Sequence, residues 1–496
     1  MTRKHKLILN TVSSLVHQII VVICGIILPR AFISSYGSEV NGLVASITQF
    51  ISIIAFLELG VGAVVQTALY LPLAKKDNFE ISRIIISSNR FFRKVGGVLL
   101  IYSFLLFIFY PLLIDSSHSF AYTSSLVAIL AISAFAQYFF GISYQLLLQA
   151  DQLAFVTLLA NAGTTIINTV IVLWLIKLNQ SVQVVKLVSS LVFLLRPLIF
   201  QLVVKRRYRL QLSIPLQSEP IKQKWNGIAQ HIASMVLSGT DVVILTIFST
   251  YSMVSVYSIY YLVANSIRKI VISLTSGIQS LFGNMISNNE IQKLTRVFER
   301  FEWLMHTFVT LLFTCTGILI IPFVKVYTLP FTDFNYVYPT FGILLVIALG
   351  LFCIRLPYNQ MVLAAGHFKE TQASAIIEAG INIMTSVLLV KTYGLMGVAI
   401  GTLLAVLYKT LYLIWYLSKH IIKRELHHFY RHSIVNVISI ASMILATQWI
   451  RLTSLTFIGW TFMAAKVAFI CLVVSLCINI IFYPRLLKGI QKGIRR

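Results

Sequence analysis

Hydrophobic residues in this chain come in long runs rather than in alternation with polar ones. Fourteen apolar segments lie at approximately 7–33, 43–69, 91–114, 120–148, 153–176, 183–204, 226–249, 254–281, 301–326, 337–363, 370–393, 395–417, 433–450 and 457–483. Most reach the roughly 20 residues that a helix needs to cross a bilayer. The strands of a membrane barrel are about ten residues long and alternate in polarity, which these segments do not. Lipid offers no partner to a backbone amide, so only helices and closed barrels span it. The pattern predicts an all-α polytopic membrane protein of about 14 transmembrane helices.

The stretches between the runs orient them. Of 40 Lys and Arg, 28 fall in alternate loops and the two ends, in the groups Arg3–Lys6, Lys75–Lys94, Lys205–Lys224, Lys293–Arg300, Lys369, Lys419–Arg431 and Arg485–Arg496. The opposite loops hold Lys177, Lys325, Lys391 and Arg451, and eight more lie inside segments. Basic loops stay on the cytoplasmic side, so both termini are expected to be cytoplasmic in a multi-pass membrane protein. The net charge of +25 has this explanation, and nucleic acid is not an expected partner. Membrane lipids are, because basic loops attract anionic headgroups. Residues 287–300 read as a short amphipathic helix on the inner surface.

Composition then narrows the function. With 58% hydrophobic and 11% charged residues, against about a quarter charged in soluble domains, and a mean hydropathy of +0.87, a soluble enzyme is excluded. The five cysteines all lie in apolar runs without metal spacing, as small core residues. There is no phosphate-binding loop, no GxSxG and no HExxH. No catalytic residue, metal or cofactor is expected, and transport is the remaining default.

Sliding the chain by 215 residues lays segments 1 to 6 on 7 to 12, and Gln145–Ala150 on Gln360–Ala365. This predicts a six-helix bundle at 1–213, a second at 214–425, and two additional helices with a basic tail at 426–496. Six spans per repeat give both halves one orientation.

Ionisable residues inside spans are costly and therefore informative. They are His17, Arg30, Glu58, Lys186, Arg196, His231, Asp241, Arg268, Lys269, Arg355, Glu378, Lys409 and Lys466. Arg30, Lys186 and Lys466 lie near span ends, where long side chains reach the interface. The basic surplus suits an anionic cargo such as a phosphate or pyrophosphate, and a guanidinium matches phosphate oxygens in two-pronged fashion. Arg268, Arg30 and Arg355 are the candidates for binding it. Glu58 and Asp241 are candidates for a proton- or cation-binding carboxylate that couples transport to an ion gradient. Structural ion pairing between helices competes with each assignment.

The most distinctive local pattern is Ser35-Tyr-Gly-Ser-Glu-Val-Asn-Gly-Leu43, then Gln49-Phe50, Leu57-Glu-Leu-Gly-Val-Gly62 and Ala68-Leu-Tyr-Leu-Pro-Leu-Ala74. It resembles the first two spans of the polysaccharide-biosynthesis flippases for O-antigen, capsule and teichoic-acid repeat units. These belong to the multidrug/oligosaccharidyl-lipid/polysaccharide exporter superfamily. The resemblance implies a V-shaped pair of bundles that moves an undecaprenyl-diphosphate-linked oligosaccharide outward by alternating access. It also implies a basic cavity lined by segments 1, 2, 7 and 8, and a polysaccharide polymerase as a partner. An ion-coupled multidrug antiporter of the same superfamily, a peptidoglycan lipid-precursor flippase, and a membrane glycosyltransferase or polymerase remain open alternatives.

The orientation is testable. In a cysteine-free background, Asp333→Cys is expected to react with an impermeant maleimide added outside the cell. Labelling only from the inside overturns the assignment.

Overall fold

The computed structural model describes residues 3–54, 61–114, 117–211, 239–275 and 277–484. Among them all regular structure is helical. The elements are α1 (Arg3–Ser52), α2 (Val61–Lys75), α3 (Asn78–Leu113), α4 (Phe120–Ala150), α5 (Ala154–Lys177), α6 (Val182–Arg207), α7 (Gly239–Phe248) and α8 (Tyr251–Leu274). They continue with α9 (Ile278–Ser287), α10 (Ile291–Tyr327), α11 (Pro339–Ala364), α12 (Phe368–Tyr393), α13 (Leu395–Ile421), α14 (His427–Thr447) and α15 (Phe457–Phe482). Among the described residues, twelve helical stretches are long and apolar enough to cross a membrane. Large apolar side chains such as Leu113, Leu388, Ile458 and Phe462 are mostly exposed. In water such faces would be sites of aggregation; here they are what meets lipid.

Two expectations from the sequence need correction. Residues 34–42, expected as a loop, are helical apart from Gly37, whose φ of 86° and ψ of 168° break α1 into two legs. A positive φ costs glycine little, so the chain kinks there and the helix resumes directly after it. Residues 291–300 are not a separate surface helix but the first turns of the 37-residue α10.

Helix ends are built from local chemistry. Asp77 accepts hydrogen bonds from the amides of Phe79 (3.1 Å) and Glu80 (3.0 Å) at the start of α3, satisfying donors the helix cannot. At the turns, single residues with positive φ reverse the chain, and they recur in register. Lys76 and Asn289 are 213 residues apart, Gln152 and Gly366 are 214 apart, and Asn179 and Gly394 are 215 apart. The 215-residue offset also carries the π-helical turn Gln137–Gly141 of α4 onto the interruption of α11 at Arg355, just before Pro357.

By internal contacts the chain forms two compact units: Met1–Met235 with Thr250–Val254, and Val236–Ser249 with Ser255–Arg496. In the first, a core of Leu43, Ile47, Leu69, Phe92, Leu147 and Val204 is fully or almost fully buried. Its polar fastening is Asp151, in the turn after α4. Its carboxylate meets Lys6 of α1 at 2.9 Å, and accepts from the Tyr208 hydroxyl, just past α6, at 2.6 Å. Burial, reinforced by that carboxylate, holds the Tyr208 phenol above its ordinary pKa, so it stays a neutral donor.

In the second unit, α12 and α13 pack most closely. A Cβ on Gly397 would strike the backbone of Leu389, and one on Gly401 would strike Ser386. Small residues let membrane helices approach this way. Gly401→Val is expected to destabilise the protein by about 1–3 kcal/mol, read as a lower melting midpoint in detergent. Gly163→Ala, where an added Cβ meets nothing within 4 Å, is expected to leave that midpoint unchanged or slightly raised.

Candidate functional site

Of the residues singled out in the sequence, Glu58 and His231 lie outside the described residues. Arg30 is half-buried on α1 of the first unit, one residue after Pro29. Asp241 on α7, Arg268 on α8 and Arg355 at the interruption of α11 belong to the second unit. There, a chain of contacts links them.

Asp241 is buried. Its carboxylate accepts from the Tyr257 hydroxyl at 2.9 Å, and the Thr402 hydroxyl lies 3.1 and 3.0 Å from its two oxygens. The same hydroxyl is 3.2 Å from the Val398 carbonyl. Asn382 donates to Thr402 at 3.1 Å and accepts from Thr240 at 2.7 Å. No cation pairs with Asp241 among the described residues. A carboxylate at this depth is stable when it takes up a proton or a cation. A cluster with a carboxylate, hydroxyls and a carbonyl offers oxygen atoms of the kind a hard cation takes.

From this cluster the line runs along α8. Tyr257 and Tyr261, four residues apart, share a face and stack with centroids 5.5 Å apart. Arg268 donates to the Tyr261 hydroxyl at 3.4 Å. Its guanidinium also lies 4.9 Å from the centroid of Phe352, and that of Arg355 lies 4.3 Å from the same ring. The two arginines therefore flank one aromatic side chain, but their electrostatic states differ. Arg355 is 9% exposed and ion-paired with Glu378 of α12. Arg268 has no acidic partner among the described residues, and its Nε is buried without a hydrogen-bond partner. The Asn265 Oδ1, one turn away, is in the same condition. Lys269, the neighbour of Arg268 in sequence, is exposed.

Reading the sequence for charge missed the neutral members: Tyr257, Tyr261, Phe352, Asn382 and Thr402. A signal was present in the spacing. Glu378 and Asn382, and Tyr257, Tyr261, Asn265 and Arg268, recur at helical intervals of three and four. Lys409 of α13 is buried and donates across to α12, to the Ser374 hydroxyl at 2.6 Å and the Thr371 carbonyl at 3.3 Å.

No protein-family profile matches the chain, and no curated protein matches it in sequence. Solved structures do share its fold. The lipid II flippase MurJ, in an inward closed conformation, is 16% identical over 97% of this chain and 100% of that one, with a TM-score of 0.72. An inward-facing multidrug-resistance MATE family transporter of the MOP superfamily is 14% identical over 81% of this chain and 95% of that one, TM-score 0.63. The eukaryotic MATE transporter AtDTX14 is 11% identical over 93% and 98%, TM-score 0.53. The likeness shows a fold shared with these proteins.

The Arg355–Glu378 pair yields a direct test. Removing one member of a buried pair leaves an uncompensated charge and costs about 3–5 kcal/mol. Glu378→Gln is expected to lower the melting midpoint of the purified protein accordingly. Arg355→Met combined with Glu378→Leu is expected to recover most of that loss.

Proposed function

We propose that the protein is an ion-coupled, alternating-access flippase for a polyprenyl-diphosphate-linked oligosaccharide, serving surface-polysaccharide assembly in a bacterial cytoplasmic membrane. The observation that carries the reading is Arg268. It is a permanent charge on a membrane-spanning helix, without an acidic partner among the described residues, held over aromatic rings with a buried unpartnered donor. A diphosphate supplies the missing acceptors and the missing charge, and a guanidinium engages it through two parallel hydrogen bonds. Arg355 stands beside the same Phe352 ring with its charge paired to Glu378, and Arg30, on the first unit, is a separate candidate for contacting an anion. The polyprenyl tail stays in lipid while polar side chains serve the sugars.

The fold shared with a protein described as a lipid II flippase supports a lipid-linked cargo. That MATE transporters of this fold are known in inward-facing and outward-facing conformations supports alternating access. In this reading Asp241, with Thr402, Asn382 and Tyr257, binds the coupling ion, and Glu58 is a second candidate for that role. Contacts from Asp241 through Tyr257 and Tyr261 to Arg268 give ion and cargo a physical connection. The shared MATE fold favours one other reading, a multidrug antiporter. Its usual cationic cargo is disfavoured by the uncompensated Arg268.

Arg268→Ala is expected to abolish surface polysaccharide at normal protein level in the membrane, and Arg268→Lys to restore it in part, because an ammonium keeps the charge and loses the fork. Asp241→Asn is expected to reduce transport at least tenfold while leaving cargo binding intact. Normal polysaccharide with Arg268→Ala removes the residue from the site. Export of cationic dyes by the unaltered protein, unaffected by Arg268→Ala, supports the antiporter instead.

A further inference from the structure

The second unit contains a second titratable cluster, which the cargo and ion sites do not use. It is centred on Glu302 of α10, whose side chain is fully buried. One carboxylate oxygen, Oε1, meets Arg424 at 2.5 Å and accepts from the Tyr358 hydroxyl at 2.6 Å. The other, Oε2, is buried with no hydrogen-bond partner. The Nε2 of His432, on α14, lies 3.8 Å from it.

Hydrogen-bond direction fixes the proton on one of the two histidines here. Tyr358 gives its proton to Glu302, so its oxygen accepts from His306, and the 3.0 Å contact to His306 Nε2 is an N–H donating. His306 Nδ1 accepts from the Asn436 amide at 2.8 Å. His306 is therefore neutral, and both of its nitrogens are committed. His432 is not committed in this way. Its Nδ1 faces the Tyr483 hydroxyl at 2.7 Å, a group that serves as donor or acceptor. Its Nε2 points toward the orphaned carboxylate oxygen. The imidazoles stack with centroids 5.0 Å apart. Beside them a small cavity, lined by both histidines, Asn436, Ser439, Ser475 and Asn479, has room for about one water molecule.

The charged surroundings come from each neighbouring element. Glu302 of α10 is the anion facing His432. Arg424, before α14, and His428 and Arg431, on α14, supply positive charge around it. Arg424 lies 5.0 Å from the Phe298 ring centroid, and Arg431 lies 5.2 Å from that of Tyr483. The groups contributed by α11 and by the end of α15 are the phenols Tyr358 and Tyr483.

We propose that His432 and Glu302 form a proton-binding site, a second ionic input separate from the oxygen cluster around Asp241. A proton from water in the cavity adds to His432 Nδ1, and the Tyr483 hydroxyl rotates from donor to acceptor. The resulting imidazolium holds N–H groups on both sides, and its Nε2–H closes on Glu302 Oε2 as an ion pair. No other bond is made or broken, and the reverse step returns the proton to water. Since Glu302 also holds Tyr358 of α11 and Arg424 ahead of α14, proton uptake draws α14 toward the point where α10 and the second half of α11 already meet. The proposal does not depend on the identity of the cargo.

The test is nitrogen-15 NMR of the full-length protein, labelled at histidine and embedded in lipid, titrated from about pH 8 to pH 5, the range in which histidine changes charge. His432→Gln identifies the His432 signals by their loss, and Tyr483→Phe identifies them by displacement if the first variant does not fold. The expected result is that His432 passes from neutral to imidazolium while His306 remains the neutral Nε2–H form throughout. Glu302→Gln is expected to move the His432 transition down by one pH unit or more, a tenfold or greater loss of proton affinity. His432 remaining neutral to pH 5, or His306 titrating in its place, overturns the proposal.

Discussion

Hydrocarbon provides neither a hydrogen-bond partner nor a counter-charge, and the interior of this protein is arranged around that fact. A hydroxyl can turn back to a carbonyl of its own helix, but a charged group carried into the apolar region has to find its complement elsewhere in the protein. Where it does, helices are fastened together: Arg355 to Glu378, Lys409 to Ser374, Glu302 to Arg424 and Tyr358. Where it does not, as at the Nε of Arg268 and the Oε2 of Glu302, the structure retains an unmet interaction. Such vacancies cost free energy in the state in which they exist, so they favour a state, or a ligand, that fills them.

The second unit distributes these interactions unevenly along α11. Its interruption at Arg355 divides the helix into two parts with separate electrostatic anchors. Arg355 at the junction is tied to α12 through Glu378. Tyr358, three residues later, is tied to α10 through Glu302. A continuous helix would carry both anchors on one rigid rod. An interrupted one lets each part follow its own partner, and proline at position 357 removes a backbone donor at that place.

The parts of this architecture set by local sequence were legible in advance. Apolar run length gives the helices, basic loops give an expected orientation, and turn residues with positive φ recur at offsets of 213, 214 and 215 residues. Less legible was anything decided by partners distant in the chain. Glu302 follows a basic, polar stretch and reads as the edge of a loop, yet its partner Arg424 lies 122 residues on. Asp241 was visible as a buried acid, but the Thr402 that meets it is 161 residues away and uncharged. The helical character of residues 34–42 escaped notice for a different reason. A single glycine turned the chain within an otherwise helical stretch, whereas loop expectations rest on several polar residues together.

The five residues Thr250–Val254 group with the first unit although they open α8, most of which belongs to the second. This has a consequence for biosynthesis. Membrane chains are made and inserted from the N-terminus, and domains generally fold as they emerge. The first unit cannot complete its contacts when its sixth helix leaves the ribosome. It must wait until residue 254 has been translated, by which point α7, carrying Asp241, is already made. The order of synthesis thus keeps the first bundle unfinished until the acidic helix of the second is in hand, and a chain released between them would lack the last piece of its own core.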